Sequence, residues 1–211
     1  MPLRHIVFDL DGTLIDSAAA ILSTFASIFE HAGIAPVQPL TQDLIGPPLP
    51  EIMASLVPAE KTALVPALIA AFKNQYDRHG YKETLVYPGI GEVLEALVEM
   101  NFSIFIATNK RIHPTRLIVN HLQWNGLFAG VYALDSFDPP FTGKAGLLSR
   151  LREQLDWDES SAIYVGDRPE DAAAARHASL PFMQAAWGYG SEWGEVRLNK
   201  PWQLIEEIKP I

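Results

Sequence analysis

Residues 3–17 read LRHIVFDLDGTLIDS, an apolar run that ends abruptly in two acids and a glycine. The run 3–8 is short, apolar and contains β-branched residues, which predicts a fully buried strand. Asp9 and Asp11 follow it two residues apart, and Gly12 allows the backbone to turn sharply. Carboxylates in this arrangement can hold a hard cation and leave one oxygen free to attack. Acidic turns also cap helices, so the stretch alone leaves both interpretations open.

Helical and strand patterns alternate along most of the chain. From Ser17 to Gly33 apolar residues recur at helical spacing, and Asp16 or Ser17 is the expected N-cap. Between 34 and 82 only helical stretches are predicted, around 51–57 and 60–79. Further strands are predicted at 102–107, near 131, at 162–165 and at 182–185. The helices between and after them are expected to begin near Ile90, Pro114, Lys144, Pro169 and Pro201.

This order of elements predicts an α/β fold with a doubly wound parallel sheet, that is, a Rossmann-like core. The lack of a strand pattern between 34 and 82 predicts an all-helical insertion after the first strand, so we expect a core of residues 1–15 and 85–211 and a separate helical segment of residues 16–84. In a sheet of this kind, ligands bind outside the carboxyl ends of the strands at a topological switch point.

Composition limits the possible functions. The chain has 211 residues, of which 48% are hydrophobic and 19% charged, as in globular proteins. A net charge of -9 argues against a nucleic-acid partner, and the lack of cysteine excludes disulfides and thiolate metal sites. No apolar run approaches the roughly 18 residues of a membrane span, and an acid interrupts the N-terminal run before a signal peptide could form. We therefore expect a soluble, cytoplasmic monomer or homodimer that contacts no membrane.

Polar residues recur just past the later strands, where the fold would place its site. Thr108 and Asn109 can hydrogen-bond phosphoryl oxygens, although such residues are also common in turns. Asp167 and Asp171 are four residues apart at a helix start, so one can ligate a metal ion while the other supports it. Acids there also complement the helix dipole, which is the structural alternative. The charge of Lys144 instead opposes the dipole of its helix, and a carboxylate partner would explain its position.

Four motifs carry a resemblance to a known family. They are Asp9-x-Asp11-Gly12-Thr13, Thr108-Asn109, Lys144 and Gly166-Asp167-x-x-x-Asp171. In order and spacing they resemble the motifs of the haloacid dehalogenase-like hydrolases over essentially the whole chain. The loop at 187–191 is similar to one in the phosphoglycolate phosphatase-like branch of that family, and the helical segment is similar to its small cap.

The resemblance implies a Mg²⁺-dependent phosphatase that hydrolyses a small phosphorylated metabolite, phosphoglycolate being one candidate, through an aspartyl phosphate. Asp9 would be the nucleophile, and Asp11 would protonate the leaving oxygen and then activate water. Lys144 would neutralise charge, while Thr108 and Asn109 would bind the phosphoryl group.

The implied metal ligands are the carboxylates of Asp9 and Asp167 and the backbone carbonyl of Asp11. Asp171 would support these ligands without binding the ion itself. The third motif departs from the family pattern, because the lysine of Gly143-Lys144-Ala145-Gly146 is not followed by proline. Lys110 therefore remains an alternative to Lys144 as the cation of the site.

Phosphoglycolate is less well supported, since its carboxylate would require a cation from the cap. No Lys or Arg lies between Arg4 and Lys61, and Lys73 and Arg78 are expected on a solvated helix face. His113 and Arg168 are weaker candidates for substrate contact, with structural roles favoured for both.

Three other functions remain open from the sequence. A phosphosugar mutase on the same scaffold would return the phosphoryl group to a sugar. A phosphoaccepting signalling receiver also combines acids, Thr and Lys around Mg²⁺, but its acceptor would follow a middle strand. A catalytically silent binding protein would have little need of intact acids at all four positions.

Overall fold

The computed structural model describes residues 3–158, 160–190, 194 and 196–208. Its strands are β1 (His5–Phe8), β2 (Ile15–Asp16), β3 (Leu85–Val86), β4 (Ser103–Thr108), β5 (Phe128–Ala133), β6 (Ala162–Gly166), β7 (Phe182–Ala185) and β8 (Arg197–Leu198). Its α-helices are α1 (Ala18–His31), α2 (Leu49–Leu56), α3 (Val65–Arg78), α4 (Ile90–Glu99), α5 (Ile112–His121), α6 (Lys144–Gln154), α7 (Pro169–His177) and α8 (Gln203–Ile208).

Six strands form one sheet in the order β5-β4-β1-β6-β7-β8, with every neighbouring pair parallel. The chain passes from β1 to β4 and β5 on one side, and then returns to β6 on the other side of β1. The strand order therefore reverses at β1, which is where a doubly wound sheet opens a crevice for a ligand. The predicted α/β fold with a parallel sheet is confirmed.

The sheet is covered by apolar residues on both faces because side chains alternate along each strand. In β1, Ile6 and Phe8 enter one core together with residues of α4, α5 and α8. Val7 points the other way, into a second core that includes residues of α6 and α7. Burial on both faces explains why β1 reads as an uninterrupted apolar run rather than as an alternating one.

The helices α1, α2 and α3 pack around a separate apolar cluster. Its largest buried members include Phe25, Phe29, Met53, Leu56 and Phe72. The chain enters and leaves this helical segment through the antiparallel pair of β2 and β3, in which Ile15 lies opposite Val86. The assignment of residues 16–84 as a cap domain stays a prediction.

Some boundaries differ from the expectations. The helix α5 begins at Ile112, two residues before Pro114. Proline is tolerated there because the N–H groups of the first helical turn have no partner within the helix. The strands β2, β3 and β8 were not predicted, since two residues are too few to show a period. None of the helices within the described ranges is long and apolar enough to cross a membrane.

Candidate active site

The candidate site lies at the carboxyl ends of three adjacent strands. Asp9 follows β1 directly, Thr108 is the last residue of β4, and Asp167 follows β6. Register brings these ends together, because Phe8 lies opposite Ile106 of β4 and Val165 of β6. The parallel sheet therefore gathers residues that are far apart in the chain.

Three buried acids form a cluster at this edge. Asp9, Asp167 and Asp171 each offer a carboxylate oxygen, and these oxygens lie within 4.8 Å of one another. Gly12, with φ of 86°, passes so close that a Cβ there would lie 2.4 Å from Asp167 Oδ2. The turn after Asp11 therefore requires glycine both for its left-handed backbone and for space.

Burial and mutual repulsion make Asp9 and Asp167 hard to ionise. Burial, together with the charges of Asp171 and Asp167, raises the pKa of Asp9 to about 7 against the opposing effect of Lys144. Burial and the charge of Asp171 raise the pKa of Asp167 to about 6. Further positive charge is therefore needed nearby to keep both carboxylates ionised at neutral pH.

Lys144 supplies part of this charge. Its Nζ lies 3.0 Å from Asp9 Oδ2, and it also binds Asp171 Oδ1. Burial opposes the charged form, but the carboxylates of Asp171 and Asp9 outweigh it and raise the pKa of Lys144. The structure thus provides the carboxylate partners that the position of Lys144 at a helix start required.

The cluster fits a hard divalent cation. Lys144 binds Asp9 and Asp171, and Arg168 Nε lies 3.9 Å from Asp167 Oδ2, so three carboxylates face two cations and an excess of negative charge remains in a buried place. Asp9 Oδ1 is buried and has no hydrogen-bond partner within the described ranges, and an orphaned carboxylate oxygen is costly unless something binds it. Oxygen donors of this kind suit Mg²⁺. Asp9 and Asp167 are the residues that would hold such an ion.

Asp11 is held apart from this cluster. Both of its carboxylate oxygens accept hydrogen bonds from Lys110 Nζ, at 3.0 and 3.2 Å. Ser17 Oγ donates a third bond to Asp11 Oδ1. Lys110 and Lys144 are therefore not alternatives in this structure, because each binds a different carboxylate of the same site.

Thr108 and Asn109 line the same pocket as Asp9 and Asp11. Thr108 is buried, and its Oγ1 accepts a hydrogen bond from the backbone N–H of Lys110 at 3.2 Å. Asn109 Nδ2 donates to the backbone carbonyl of Gly46 at 2.8 Å, so this amide joins the core to the helical segment. The role of both residues in phosphoryl binding stays a prediction.

A small pocket joins the acids to the helical segment. Asp9, Asp11 and Thr108 line it, and helical-segment residues such as Phe25 and Phe72 line it as well. Its volume is about 60 Å³, which is room for about four or five water molecules. This pocket therefore has room for a compact group, and a wider cleft of about 520 Å³ also borders Asp9 and Asn109.

Two functional contacts were missed in the sequence. Tyr189 donates its backbone N–H to Asp167 Oδ2 at 2.8 Å, while its hydroxyl accepts hydrogen bonds from the N–H groups of Ser17 and Ala18. Similarity had singled out the loop at 187–191 without giving it a role, and Ser191 lies outside the described residues. Tyr189 thus links a candidate metal ligand to the start of α1.

The second missed contact is an ion pair between Arg111 and Asp77. The guanidinium donates two hydrogen bonds to the carboxylate, at 2.6 and 3.0 Å. Arg111 follows the Thr108-Asn109 motif closely, so its place near the site could have been found. Its partner is 34 residues away on α3, and no local pattern connects the two.

The weaker candidates lie away from the acids or have structural partners. His113, Lys73 and Arg78 are exposed. Arg168 donates a hydrogen bond to the backbone carbonyl of Gln42 at 3.0 Å, and its guanidinium lies 5.9 Å from the centre of the Tyr189 ring. Arg168 therefore bridges the core and the helical segment.

Comparison with known proteins agrees with this geometry. The family described as haloacid dehalogenase-like hydrolase matches residues 6–185, and the chain belongs to this family. The solved structure of a predicted phosphatase from Clostridium acetobutylicum has a TM-score of 0.85 and 26% identity, and the match covers 99% of both chains. The resemblance seen in the four motifs is confirmed.

Two curated relatives differ in their activities. A phosphoglycolate phosphatase from Xylella fastidiosa is 32% identical over 190 residues, which is 89% of this chain and 82% of that protein. The tyrosine-protein kinase PtkA from Mycobacterium tuberculosis is 30% identical over 186 residues, or 88% of this chain. The match covers only 62% of the length of the kinase.

Proposed function

We propose that this chain is a Mg²⁺-dependent phosphatase that hydrolyses a small phosphomonoester through an aspartyl phosphate on Asp9. The observation that carries the proposal is the environment of Asp9. One of its oxygens is held by Lys144, while the other is buried without a hydrogen-bond partner among the described residues. A carboxylate in this environment can bind a metal ion with one oxygen and attack phosphorus with the other.

The reaction would proceed in two steps. In the first, an Asp9 oxygen bonds to phosphorus, the ester P–O bond breaks, and the leaving oxygen takes a proton from Asp11. In the second, Asp11 takes a proton from water as that water attacks phosphorus, which releases inorganic phosphate and restores Asp9. Asp11 lines the same pocket as Asp9, and Lys110 and Ser17 fix its orientation.

Charge neutralisation is shared among several groups. Asp9, Asp167 and the backbone carbonyl of Asp11 would hold Mg²⁺. The bound ion would neutralise charge on the acids and on the phosphoryl oxygens. Asp171 would support the site by binding Lys144 and by accepting a hydrogen bond from the backbone N–H of Arg168 at 3.0 Å. In the same proposal, Thr108 and Asn109 bind the phosphoryl group.

The proposal extends to the whole chain. The helical segment, residues 16–84, would act as a cap over a core of residues 1–15 and 85–211. The ligand would be a small phosphorylated metabolite, in keeping with the small volume of the pocket. The absence of cysteine suits a reducing compartment such as the cytoplasm, and a monomer or homodimer would suffice for the chemistry.

Asp9→Asn tests the proposal. The amide keeps the shape of the side chain but cannot form the acyl phosphate, so phosphate release from p-nitrophenyl phosphate with Mg²⁺ should fall by at least about a thousandfold. Circular dichroism should show an unchanged fold. Turnover that survives the substitution would remove Asp9 from the role of nucleophile.

The same assay separates the rival functions. A mutase would isomerise a hexose phosphate without net release of phosphate, whereas the phosphatase releases it. With ATP and protein substrates, transfer to tyrosine instead of water would favour the activity for which the mycobacterial relative is named.

A further inference from the structure

The pocket that contains Asp9 and Asp11 has an apolar wall. The helical segment contributes Ile21, Phe25, Ile45, Leu49, Ile52 and Phe72 to it. The rings of Phe25 and Phe72 lie 4.5 Å apart, and Phe72 stacks on Tyr76 with ring centres 5.5 Å apart. These rings are nearly fully buried, so the wall is a packed surface.

Two cations also line the pocket, and an acid holds each of them. Lys110 binds both oxygens of Asp11, and its Nζ lies 4.7 Å from the centre of the Tyr76 ring. Arg111 forms two hydrogen bonds with Asp77, and the two side chains are only 20% and 16% exposed. Paired hydrogen bonds between arginine and a carboxylate are the strongest geometry for such an ion pair.

The two neighbouring cations differ in how firmly acids hold them, since Arg168 Nε is buried without a hydrogen-bond partner among the described residues and lies 3.9 Å from Asp167 Oδ2. Lys144 binds Asp9 and Asp171. Arg168 lines an adjoining cleft instead of this pocket, where it donates to the backbone of Gln42. Among the described residues that line the pocket, every Lys or Arg side chain therefore has an acidic partner.

This arrangement disfavours a charged leaving group. A carboxylate that entered beside the apolar wall would lose its hydration and would have to compete with Asp77 or Asp11 for a cation. An uncharged apolar group would only remove hydrophobic surface from water, which is favourable. Esters with a charged leaving group and esters with an uncharged one should therefore differ most in how favourably the pocket binds the end of the leaving group that is remote from phosphorus.

We propose that the site selects phosphomonoesters with a compact, uncharged, apolar leaving group, and that Asp77 enforces this choice by occupying Arg111. The inference rests on the proposed phosphatase function and names the substrate class of that site. Asp77 is a positioning residue here, since it acts through Arg111 and takes no part in the chemical steps.

Isobutyl phosphate and 2-phosphoglycolate test this proposal on the unmodified protein. Their leaving groups have the same number of heavy atoms and similar branching, but only phosphoglycolate carries a carboxylate there. We expect kcat/KM, measured as phosphate release with Mg²⁺, to be at least tenfold higher for isobutyl phosphate. A preference for phosphoglycolate would overturn the inference and leave the proposed phosphatase intact.

Asp77→Asn tests the role of the ion pair. The substitution frees Arg111, so the ratio of the two kcat/KM values should shift at least tenfold towards phosphoglycolate, mainly through a lower KM for that ester. Arg111→Met in the same chain should reverse the shift. Glu60→Gln is the matched control, because it removes one exposed negative charge from the helical segment and should leave the ratio unchanged.

The possible failures are distinguishable. An unchanged ratio in a folded Asp77→Asn protein would overturn the role of Asp77. Phosphate release from neither ester nor p-nitrophenyl phosphate would refute the proposed function itself.

Discussion

Lys144 is a cation at the wrong end of a helix by the rule of the helix dipole, and its side chain is only 8% exposed. It is stable there because Asp9 and Asp171 surround it. Removing one partner of a buried ion pair leaves an uncompensated charge, which costs about 3–5 kcal/mol. The site therefore depends for its stability on the same contacts that the proposed chemistry uses.

We predict that Lys144→Met and Asp171→Asn are not additive. Each substitution should lower the free energy of unfolding, but the double variant should lose about 1–3 kcal/mol less than the sum of the two. Urea unfolding in the presence of a chelator measures this coupling. Lys144→Met combined with Glu170→Gln is the control, because Glu170 is exposed on the same helix as Asp171. Additive effects for Lys144 and Asp171 would contradict the buried pair.

Single residues were predictable where their type conflicted with local structure. Asp9 interrupts a buried apolar run, and Lys144 opposes a helix dipole, so both pointed to chemistry. The pairing of Lys110 with Asp11 was not predictable, because the two residues are 99 positions apart and meet only through the order of the strands. The sequence left Lys110 and Lys144 as alternatives because Lys144 is not followed by proline, as it is in the family pattern.

Residues of the site determine how the N-terminus of α1 is capped. Sequence favoured Asp16 or Ser17 as N-cap, and Asp16 Oδ1 does accept a hydrogen bond from the N–H of Ala18 at 3.0 Å. Ser17 makes no side-chain capping bond, and its hydroxyl donates to Asp11 instead. The hydroxyl of Tyr189 takes its place and accepts the N–H of Ser17 at 2.8 Å.

We therefore predict that Tyr189→Phe destabilises the protein. The substitution leaves a buried backbone N–H without its acceptor, which costs about 1–3 kcal/mol in the free energy of unfolding. Urea unfolding checks the value, with Tyr132→Phe on β5 as the matched control. If both variants lost the same free energy of unfolding, the hydrogen bond from the Ser17 N–H to the Tyr189 hydroxyl would contribute nothing specific to stability.

Element prediction succeeded where patterns were long. The amphipathic α1 and the buried strands β1, β4 and β6 carry enough residues to show their period. The strands β2 and β3 are two residues long and exist because the chain must leave the sheet and return to it beside the helical segment. Such pairing depends on tertiary structure, so a local pattern could not reveal it.

At the scale of the molecule, alternating strands and helices were sufficient to predict a parallel doubly wound sheet. The order of strands, and hence which loops meet, was not encoded in any local pattern. The polar contacts that join the helical segment to the core include those of Asn109 with Gly46, Arg111 with Asp77, and Arg168 with Gln42. These three core residues lie within three positions of the end of β4 or β6, so the site and this part of the junction share the same loops.

Because folding brings Asp9, Asp167 and Asp171 together, only the folded protein should bind a divalent ion tightly. A ligand that binds the folded state alone stabilises it by about 2.7 kcal/mol at one hundred times its Kd. For a chain of this length, that corresponds to an increase in Tm of roughly 5–10 °C. We predict this increase on adding Mg²⁺ to chelator-treated protein, as measured by thermal unfolding at constant ionic strength. Asp167→Asn should abolish most of it, whereas Asp43→Asn, an exposed control, should not. An equal increase in the Asp167 variant would place the ion elsewhere, because a general effect of ionic strength is already excluded by the matched salt.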